Sequence, residues 1–286
     1  PVFPHSFTVM MSEISSARTL FPSGLFQPEG SFRFSADALH LARFALTALN
    51  GKESVADLGA GCGIVGLALL LRRETLRVVG VEREQALADA ARLNADRLGL
   101  KNCHVLCGDV AHRETLLAAR RMLKPESCHG GPPLFDAAVC NPPWRTPGSG
   151  RSSPSPLRRG ALEAEQGISP FLAAADGLLG ARGSLFLALS PDKLADALRE
   201  LPARLRPVRL RFVHPCRKGV PAPAALALLE ARKNSRAPLV VEEPLVEPPQ
   251  CFNPRAPIRR LLQSVGGWGA RGLSLPEGKG YGKGFQ

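Results

Sequence analysis

Short apolar runs alternate with longer amphipathic segments through the middle of the chain. The apolar runs have the length and composition of buried strands and lie at residues 54–58, 77–81, 103–107, 135–140 and 184–189. The amphipathic segments space their apolar positions as helices do and lie at residues 35–49, 64–73, 85–98, 112–122, 168–179 and 192–201. This alternation is typical of βαβ units and predicts an α/β fold with a parallel sheet.

The last predicted strands follow a different pattern. Two apolar runs, at residues 208–213 and 224–231, are separated by a basic, proline-containing loop with no room for a helix. Parallel strands need a long crossover, whereas antiparallel strands can be joined by a short loop. The spacing therefore predicts an antiparallel hairpin at the end of the sheet.

Both ends of the chain lack this periodicity. The residues before the first predicted helix show no apolar period, and we expect a flexible arm over residues 1–24. Proline, glycine and basic residues dominate from Pro244 onward and predict disorder, which we assign to a tail at residues 248–286. A single folded domain is then expected over residues 25–247.

The composition predicts the kind of partner that the protein binds and the compartment in which it lies. The net charge of +12 and a pI near 10.0 favour an acidic partner such as RNA, DNA or anionic lipid, although an unspecialised basic surface stays open. Seven cysteines without paired spacing indicate reduced thiols and a cytoplasmic protein. Cys103 and Cys107 lack a second pair, so we expect no metal. The apolar runs are too short to cross a membrane.

A glycine-rich turn follows the first predicted strand. It reads Asp57-Leu58-Gly59-Ala60-Gly61-Cys62-Gly63. Glycines at a strand-to-helix turn let a ligand approach the backbone, and Glu82 at the end of the next strand can accept both hydroxyls of a ribose. Asp57 would oppose a pyrophosphate and favours the cationic amino-acid group of S-adenosylmethionine over a dinucleotide. A turn packed for structure alone is the simpler alternative.

A second motif, Asn141-Pro142-Pro143-Trp144, follows the fourth predicted strand. The asparagine supplies an amide acceptor, the prolines restrict the backbone, and the tryptophan offers a flat face for stacking. These properties suit a planar amino group such as that of a flipped nucleobase. Trp144 could instead be a core aromatic.

Together these residues resemble the S-adenosylmethionine-dependent methyltransferases with a doubly wound, seven-stranded sheet. The Asn-Pro-Pro-aromatic motif is similar to that of their amino-methylating members. The closest resemblance is to the bacterial tRNA adenine-N6 methyltransferases that modify the adenosine next to the anticodon of a valine tRNA. The closer match rests on residues 26–39, 141–144 and 214–239. Two departures are Trp144 in place of the commoner tyrosine and a longer, proline-rich segment at residues 145–159.

The resemblance implies roles for particular residues. The catalytic set is Asn141, Pro142 and Trp144, with the Asn141 side chain and the Pro142 carbonyl accepting the amino hydrogens of adenine. The cofactor-binding set is Asp37, Asp57, Gly59, Ala60, Gly61, Gly63, Glu82, Arg83, Asp109 and Asn141. A helix cap is an equally good interpretation of Asp37. The implied cofactor is S-adenosylmethionine.

Basic clusters suggest where tRNA would bind. They lie at residues 145–159 and within residues 204–236, and the first borders the predicted substrate mouth. Two alternatives stay open. One is a methyltransferase for a glutamine amide of a translation release factor, which normally carries a helical domain ahead of the cofactor domain. The segment before Asp57 is too short for that domain. The other is a non-catalytic RNA-binding protein that kept the fold.

Overall fold

The structure, a computed structural model, describes residues 4–31, 34–123, 133–142, 167–217 and 220–247. Its strands are β1 Ser54–Leu58, β2 Arg77–Glu82, β3 Cys103–Cys107, β4 Phe135–Cys140, β5 Leu179–Leu189, β6 Leu205–His214, β7 Cys216–Arg217, β8 Val220–Pro221, β9 Leu226–Lys233, β10 Val240–Val241 and β11 Leu245–Val246. Its α-helices are α1 Pro4–Leu20, α2 Ala36–Leu46, α3 Ile64–Arg72, α4 Gln85–Arg97, α5 Arg113–Arg121, α6 Ser169–Leu178 and α7 Leu194–Glu200, the last preceded by a 3₁₀ turn at Pro191–Lys193.

The main sheet has the strand order β10-β6-β9-β5-β4-β1-β2-β3, and β11 also pairs with β6. Strands β1 to β5 are parallel to their neighbours within this group. Strand β9 lies between β5 and β6 and is antiparallel to both, as the hairpin prediction requires. The predicted fold class, a doubly wound and mostly parallel sheet with a terminal antiparallel hairpin, is confirmed. The short strands β10 and β11 add to the seven that were expected.

Helices cover both faces of the sheet, so the strands are buried on both sides. One cluster of buried side chains joins α2, α3 and part of α4 to alternate residues of the strands, including Val55 and Val139. The other joins α6 and α7 to the intervening residues, including Ala56 and Leu58. Strand β1 is buried along its whole length, so its one charged residue, Asp57, faces a helix rather than water.

The predicted boundaries agree with the observed ones to within a few residues except at β5. This strand starts at Leu179, directly after α6, instead of at Ser184. Its register with β4 is irregular between Phe135 and Ala137, and Arg182 has a left-handed φ of 68°. The glycines and the arginine in this segment interrupt the apolar pattern of a strand. Pairing with β4 stabilises the segment as a strand nonetheless.

Two observations concern the ends of the expected domain. The expected flexible arm contains helix α1, and Arg18 near its end donates from Nε to the Leu98 carbonyl at 2.8 Å and pairs with Glu74 at 2.6 Å. Strand β11, which pairs with β6, follows Pro244 and lies within the expected domain of residues 25–247. The tail at residues 248–286 lies outside the described residues.

Candidate functional site

The glycine-rich turn connects β1 to α3 at the carboxyl edge of the sheet. Gly59, Gly61 and Gly63 all have left-handed φ values, of 71°, 58° and 89°. The amides of Gly59 and Ala60 donate to the Val81 carbonyl at 2.9 and 3.1 Å, which fixes the turn to the neighbouring strand. A Cβ at Gly61 would meet no atom within 4 Å, so the backbone there is open to a ligand.

Asp57 lies beneath this turn, not on its open side. Its side chain is 2% exposed, and its Oδ2 accepts a hydrogen bond from the Gly66 amide, in the first turns of α3, at 2.9 Å. Burial raises the pKa of Asp57 to about 7, and the nearby charge of Glu82 acts in the same direction. Any effect of its charge on a ligand is therefore exerted through the turn and the start of the helix.

Glu82, at the end of β2, contacts the turn directly. Its Oε2 accepts from the Gly61 amide at 2.8 Å, and its Oε1 accepts from the Glu84 amide at 3.0 Å. Burial raises its pKa, and these two hydrogen bonds oppose the shift. A carboxylate oxygen has two lone pairs, so each oxygen keeps one for a further donor. Arg83, the next residue, is exposed and pairs with Glu84 at 3.4 Å.

Asn141 lies at the same edge of the sheet, after the strand that flanks β1 on the side away from β2. It follows β4, which pairs with β1 so that Cys140 lies opposite Leu58. The chain leaves β1 toward β2 on one side and returns through β4 on the other, and the carboxyl ends of such strands form the ligand crevice of open α/β sheets. Asn141 is half-buried and Pro142 is buried. Pro143 and Trp144 lie outside the described residues.

Asp109 also lies at this edge, whereas Asp37 is held by a different set of residues. Asp109 follows β3, is half-buried, and accepts from the Ala111 amide at 2.8 Å. Asp37 lies in the first turn of α2 and accepts from the Ser35 hydroxyl at 2.5 Å. Burial raises the pKa of Asp37, and this hydrogen bond opposes the shift. Four of the predicted elements thus meet at one edge: the turn, Glu82, Asp109 and Asn141.

Two residues at this site were missed by sequence reasoning. Asn94 of α4 is 1% exposed and hydrogen-bonds both Phe26 and Cys62. Phe171 of α6 lies against the turn, since its Cε1 would be 3.1 Å from a Cβ at Gly59. Both contacts join segments far apart in the chain, and the only signal was an asparagine on an otherwise apolar helix face.

The arginines of the 204–236 region are largely engaged in ion pairs. Glu230, fully buried, binds Arg209 Nε at 2.6 Å and Arg232 Nη2 at 2.7 Å. Arg204 pairs with Asp176 at 2.6 Å. The pairs with Arg209 and Arg232 lower the pKa of Glu230 despite its burial. These arginines therefore take part in contacts within the sheet and its helices, and the role of this region as a surface for tRNA stays a prediction.

Two arginines of this region lie at the edge of the sheet away from Asn141. Because β9 is antiparallel to both β5 and β6, β6 runs parallel to β5. Arg206 at the start of β6 and Arg232 at the end of β9, which are paired in register, lie at the amino edge of the sheet, opposite Asn141. The other predicted basic segment, residues 145–159, lies outside the described residues.

The strand order and the turn together define the class I methyltransferase fold. A solved structure of a predicted O-methyltransferase from Agrobacterium tumefaciens has the same fold, with a TM-score of 0.55 and 28% identity, over 73% of this chain and 86% of that one. The family model described as a precorrin methyltransferase domain matches residues 33–129. That match contains Asp57, Glu82 and Asp109 and stops before Asn141.

Curated relatives match shorter stretches. An uncharacterized RNA methyltransferase from Nitratidesulfovibrio vulgaris is 33% identical over 98 residues, which is 34% of this chain and 19% of the relative. A protein-L-isoaspartate O-methyltransferase from Marinobacter nauticus is 43% identical over 61 residues, which is 21% of this chain and 27% of the relative. The chain spans a small part of either relative. Their names differ in substrate, so the likeness favours a shared methyltransferase core and leaves the acceptor open.

No helix in the described ranges is long and apolar enough to cross a membrane. Nor do those ranges bring together three metal-ligating side chains of the His, Cys, Asp or Glu type. The five cysteines whose side chains are described, Cys62, Cys103, Cys107, Cys140 and Cys216, are free thiols.

Proposed function

We propose that this protein is an S-adenosylmethionine-dependent methyltransferase that methylates the exocyclic N6 of an adenine in tRNA, next to the anticodon. The observation that supports this most is the position of Asn141. It follows β4 where that strand lies beside β1, so an amide acceptor stands next to the glycine-rich turn. A cofactor at the turn and an amino group at Asn141 would share one crevice.

The described residues fit the cofactor. The open space at Gly61 admits a ligand against the backbone, and the free lone pairs of Glu82 can accept ribose hydroxyls. Asp57 holds the start of α3 from beneath the turn, and its ionised form, populated above a pKa of about 7, favours a cationic amino-acid group. Asp109 can accept from an adenine amino group. When bound, S-adenosylmethionine supplies an electrophilic methyl group.

Asn141 and Pro142 would bind and orient the acceptor. The lone pair of an aromatic amine is delocalised into its ring, and acceptors on its two hydrogens return electron density to the nitrogen. The Asn141 amide oxygen and the Pro142 carbonyl are such acceptors. Holding two reactants in a near-attack geometry is worth roughly 7 to 11 kcal/mol, more than the 10²- to 10⁴-fold of a single positioned proton acceptor. Orientation is therefore the larger contribution.

The choice of RNA rests on three weaker supports. The chain carries a net charge of +12, and one partial relative is named an RNA methyltransferase. The Asn-Pro-Pro-aromatic motif resembles that of the tRNA adenine-N6 enzymes, and Trp144 would stack on the extruded base. Cytoplasmic tRNA is the substrate that these features favour together.

A substrate panel tests the proposal. The protein is incubated with methyl-labelled S-adenosylmethionine and, in separate reactions, with tRNA, rRNA, DNA and a translation release factor. We expect label in tRNA, recovered as N6-methyladenosine. Label in the release factor alone would replace the proposal with the glutamine-amide activity. Absence of cofactor binding by calorimetry would favour a non-catalytic RNA-binding protein.

A further inference from the structure

Asn94 joins three backbone groups that come from two separate segments. Its Oδ1 accepts from the Phe26 amide at 2.7 Å, and its Nδ2 donates to the Phe26 carbonyl at 2.9 Å and to the Cys62 carbonyl at 3.0 Å. Both amide hydrogens are used, and the side chain is 1% exposed. An asparagine with this bonding has one orientation and holds both segments against α4.

The two segments differ in what they offer to the site. Cys62 lies between Gly61 and Gly63, the left-handed positions of the turn. Phe26 lies in the irregular segment ahead of α2, and its ring is 46% exposed although its backbone is fixed by Asn94. The asparagine therefore holds an exposed aromatic residue at a fixed position relative to the turn.

The turn is thus held at two neighbouring residues. Glu82 fixes the Gly61 amide from β2, and Asn94 fixes the Cys62 carbonyl from α4. Loss of either hydrogen bond leaves the turn free to adopt other conformations, because glycine takes positive and negative φ about equally readily.

We propose that Asn94 is a positioning residue for cofactor binding. It holds the segment around Phe26 against the glycine-rich turn, so that both form one wall of the cofactor site. The proposal rests on the proposed function, since it assigns Asn94 a part in binding S-adenosylmethionine. It does not place Asn94 in contact with the cofactor.

Two pairs of variants separate this role from a purely structural one. Asn94→Ala removes all three hydrogen bonds, and its control is Ser54→Ala, which removes a buried hydroxyl bonded to Asp136 at 2.8 Å at the amino edge of the sheet. Phe26→Pro removes the amide that donates to Asn94, and its control is Phe26→Ala, which removes the ring and keeps that amide. If Asn94→Ala fails to fold, the two Phe26 variants still test the proposal, because both retain Asn94.

The readouts are the dissociation constant for S-adenosylmethionine by calorimetry, the kcat at saturating cofactor, and amide hydrogen exchange of the peptide containing Phe26. For Asn94→Ala we expect an affinity at least tenfold weaker, a kcat within twofold of wild type, and faster exchange at that peptide. Ser54→Ala lowers the melting temperature and leaves the affinity unchanged. Phe26→Pro weakens binding more than Phe26→Ala does.

Each outcome decides the matter. Wild-type affinity in folded Asn94→Ala, or equal affinities in the two Phe26 variants, overturns the positioning role and leaves the proposed function standing. A wild-type protein that binds no S-adenosylmethionine overturns both.

Discussion

Glu82 on β2 and Gly61 in the turn after β1 are joined by a hydrogen bond of 2.8 Å from the Gly61 amide to Glu82 Oε2. The bond has two effects. It fixes the one glycine of the turn whose missing side chain faces open space, and it holds a carboxylate beside that glycine. Shape and charge of the candidate cofactor site thus depend on the same contact.

Replacing Glu82 by glutamine should weaken cofactor binding at least tenfold, which is about 1.4 kcal/mol. The substitution removes the charge and turns an NH₂ group toward one of the two amides that the carboxylate now binds. Calorimetry with S-adenosylmethionine measures the loss. Glu84→Gln is the control, because its side chain forms a surface ion pair with the exposed Arg83. Equal affinities in the two variants would exclude Glu82 from the cofactor site.

Alanine at two glycines should separate binding from stability. Gly61→Ala puts a Cβ into the open space, at a left-handed φ that costs about 1 to 2 kcal/mol, and we expect cofactor binding to be lost from a folded protein. Gly66→Ala puts a Cβ 2.8 Å from Val78 Cγ1 in the core, so stability should fall by about 1 to 3 kcal/mol. Thermal melts and calorimetry on both variants check the contrast. A Gly61→Ala protein with normal affinity would contradict it.

The buried Asp57 should make the stability of the protein depend on pH. Its pKa rises from 3.8 to about 7 on folding, so between these values the folded state holds the proton more tightly than the unfolded state. This contribution to stability is present below pH 3.8 and is lost as the pH rises through about 7. Asp57→Asn keeps an acceptor for the Gly66 amide and has no charge to bury.

The measurement for Asp57 is denaturant unfolding of the wild type and of Asp57→Asn at pH 5 and pH 8. The difference between the two proteins cancels other titrating groups. Relative to the variant, the wild type should lose about 2 to 3 kcal/mol over this range. A constant difference would mean that Asp57 is not buried as described.

Two exposed arginines at opposite edges should differ in their effect on RNA binding. Arg113 begins α5 at the carboxyl edge, and Arg206 lies near the start of β6 at the amino edge. Affinity for tRNA falls as salt rises. Arg113→Glu should make the slope of log affinity against log salt shallower by about one, because one phosphate contact is lost. Arg206→Glu should leave the slope unchanged. Salt titrations of both variants test this, and the reverse order would place RNA at the amino edge.

Much of the fold was predictable because its strands are buried on both faces. Such strands read as continuous apolar runs, and the turn and Asn141 follow directly at their carboxyl ends. The position of these motifs at one edge then follows from the parallel sheet alone. Strand order was therefore enough to predict that these residues lie at one edge of the sheet, without any contact being known.

What could not be predicted depends on contacts between distant segments. Helix α1 has no apolar period, and its end is held through Arg18 by Leu98. Strands β10 and β11 have two residues each and form only by pairing with β6. Asn94 resembles any polar residue on a helix until its partners at Phe26 and Cys62 are known.

The central claim is that Asn141 orients an adenine amino group for methyl transfer. The direct measurement is nucleoside mass spectrometry of tRNA after reaction with S-adenosylmethionine and either the wild-type protein or Asn141→Ala, with cofactor affinity measured on both. The account predicts N6-methyladenosine with the wild type, and at least a hundredfold less with a folded variant, within the range for a positioned acceptor. Equal methylation by the two proteins, or methylation at a position other than an exocyclic amine, would contradict it.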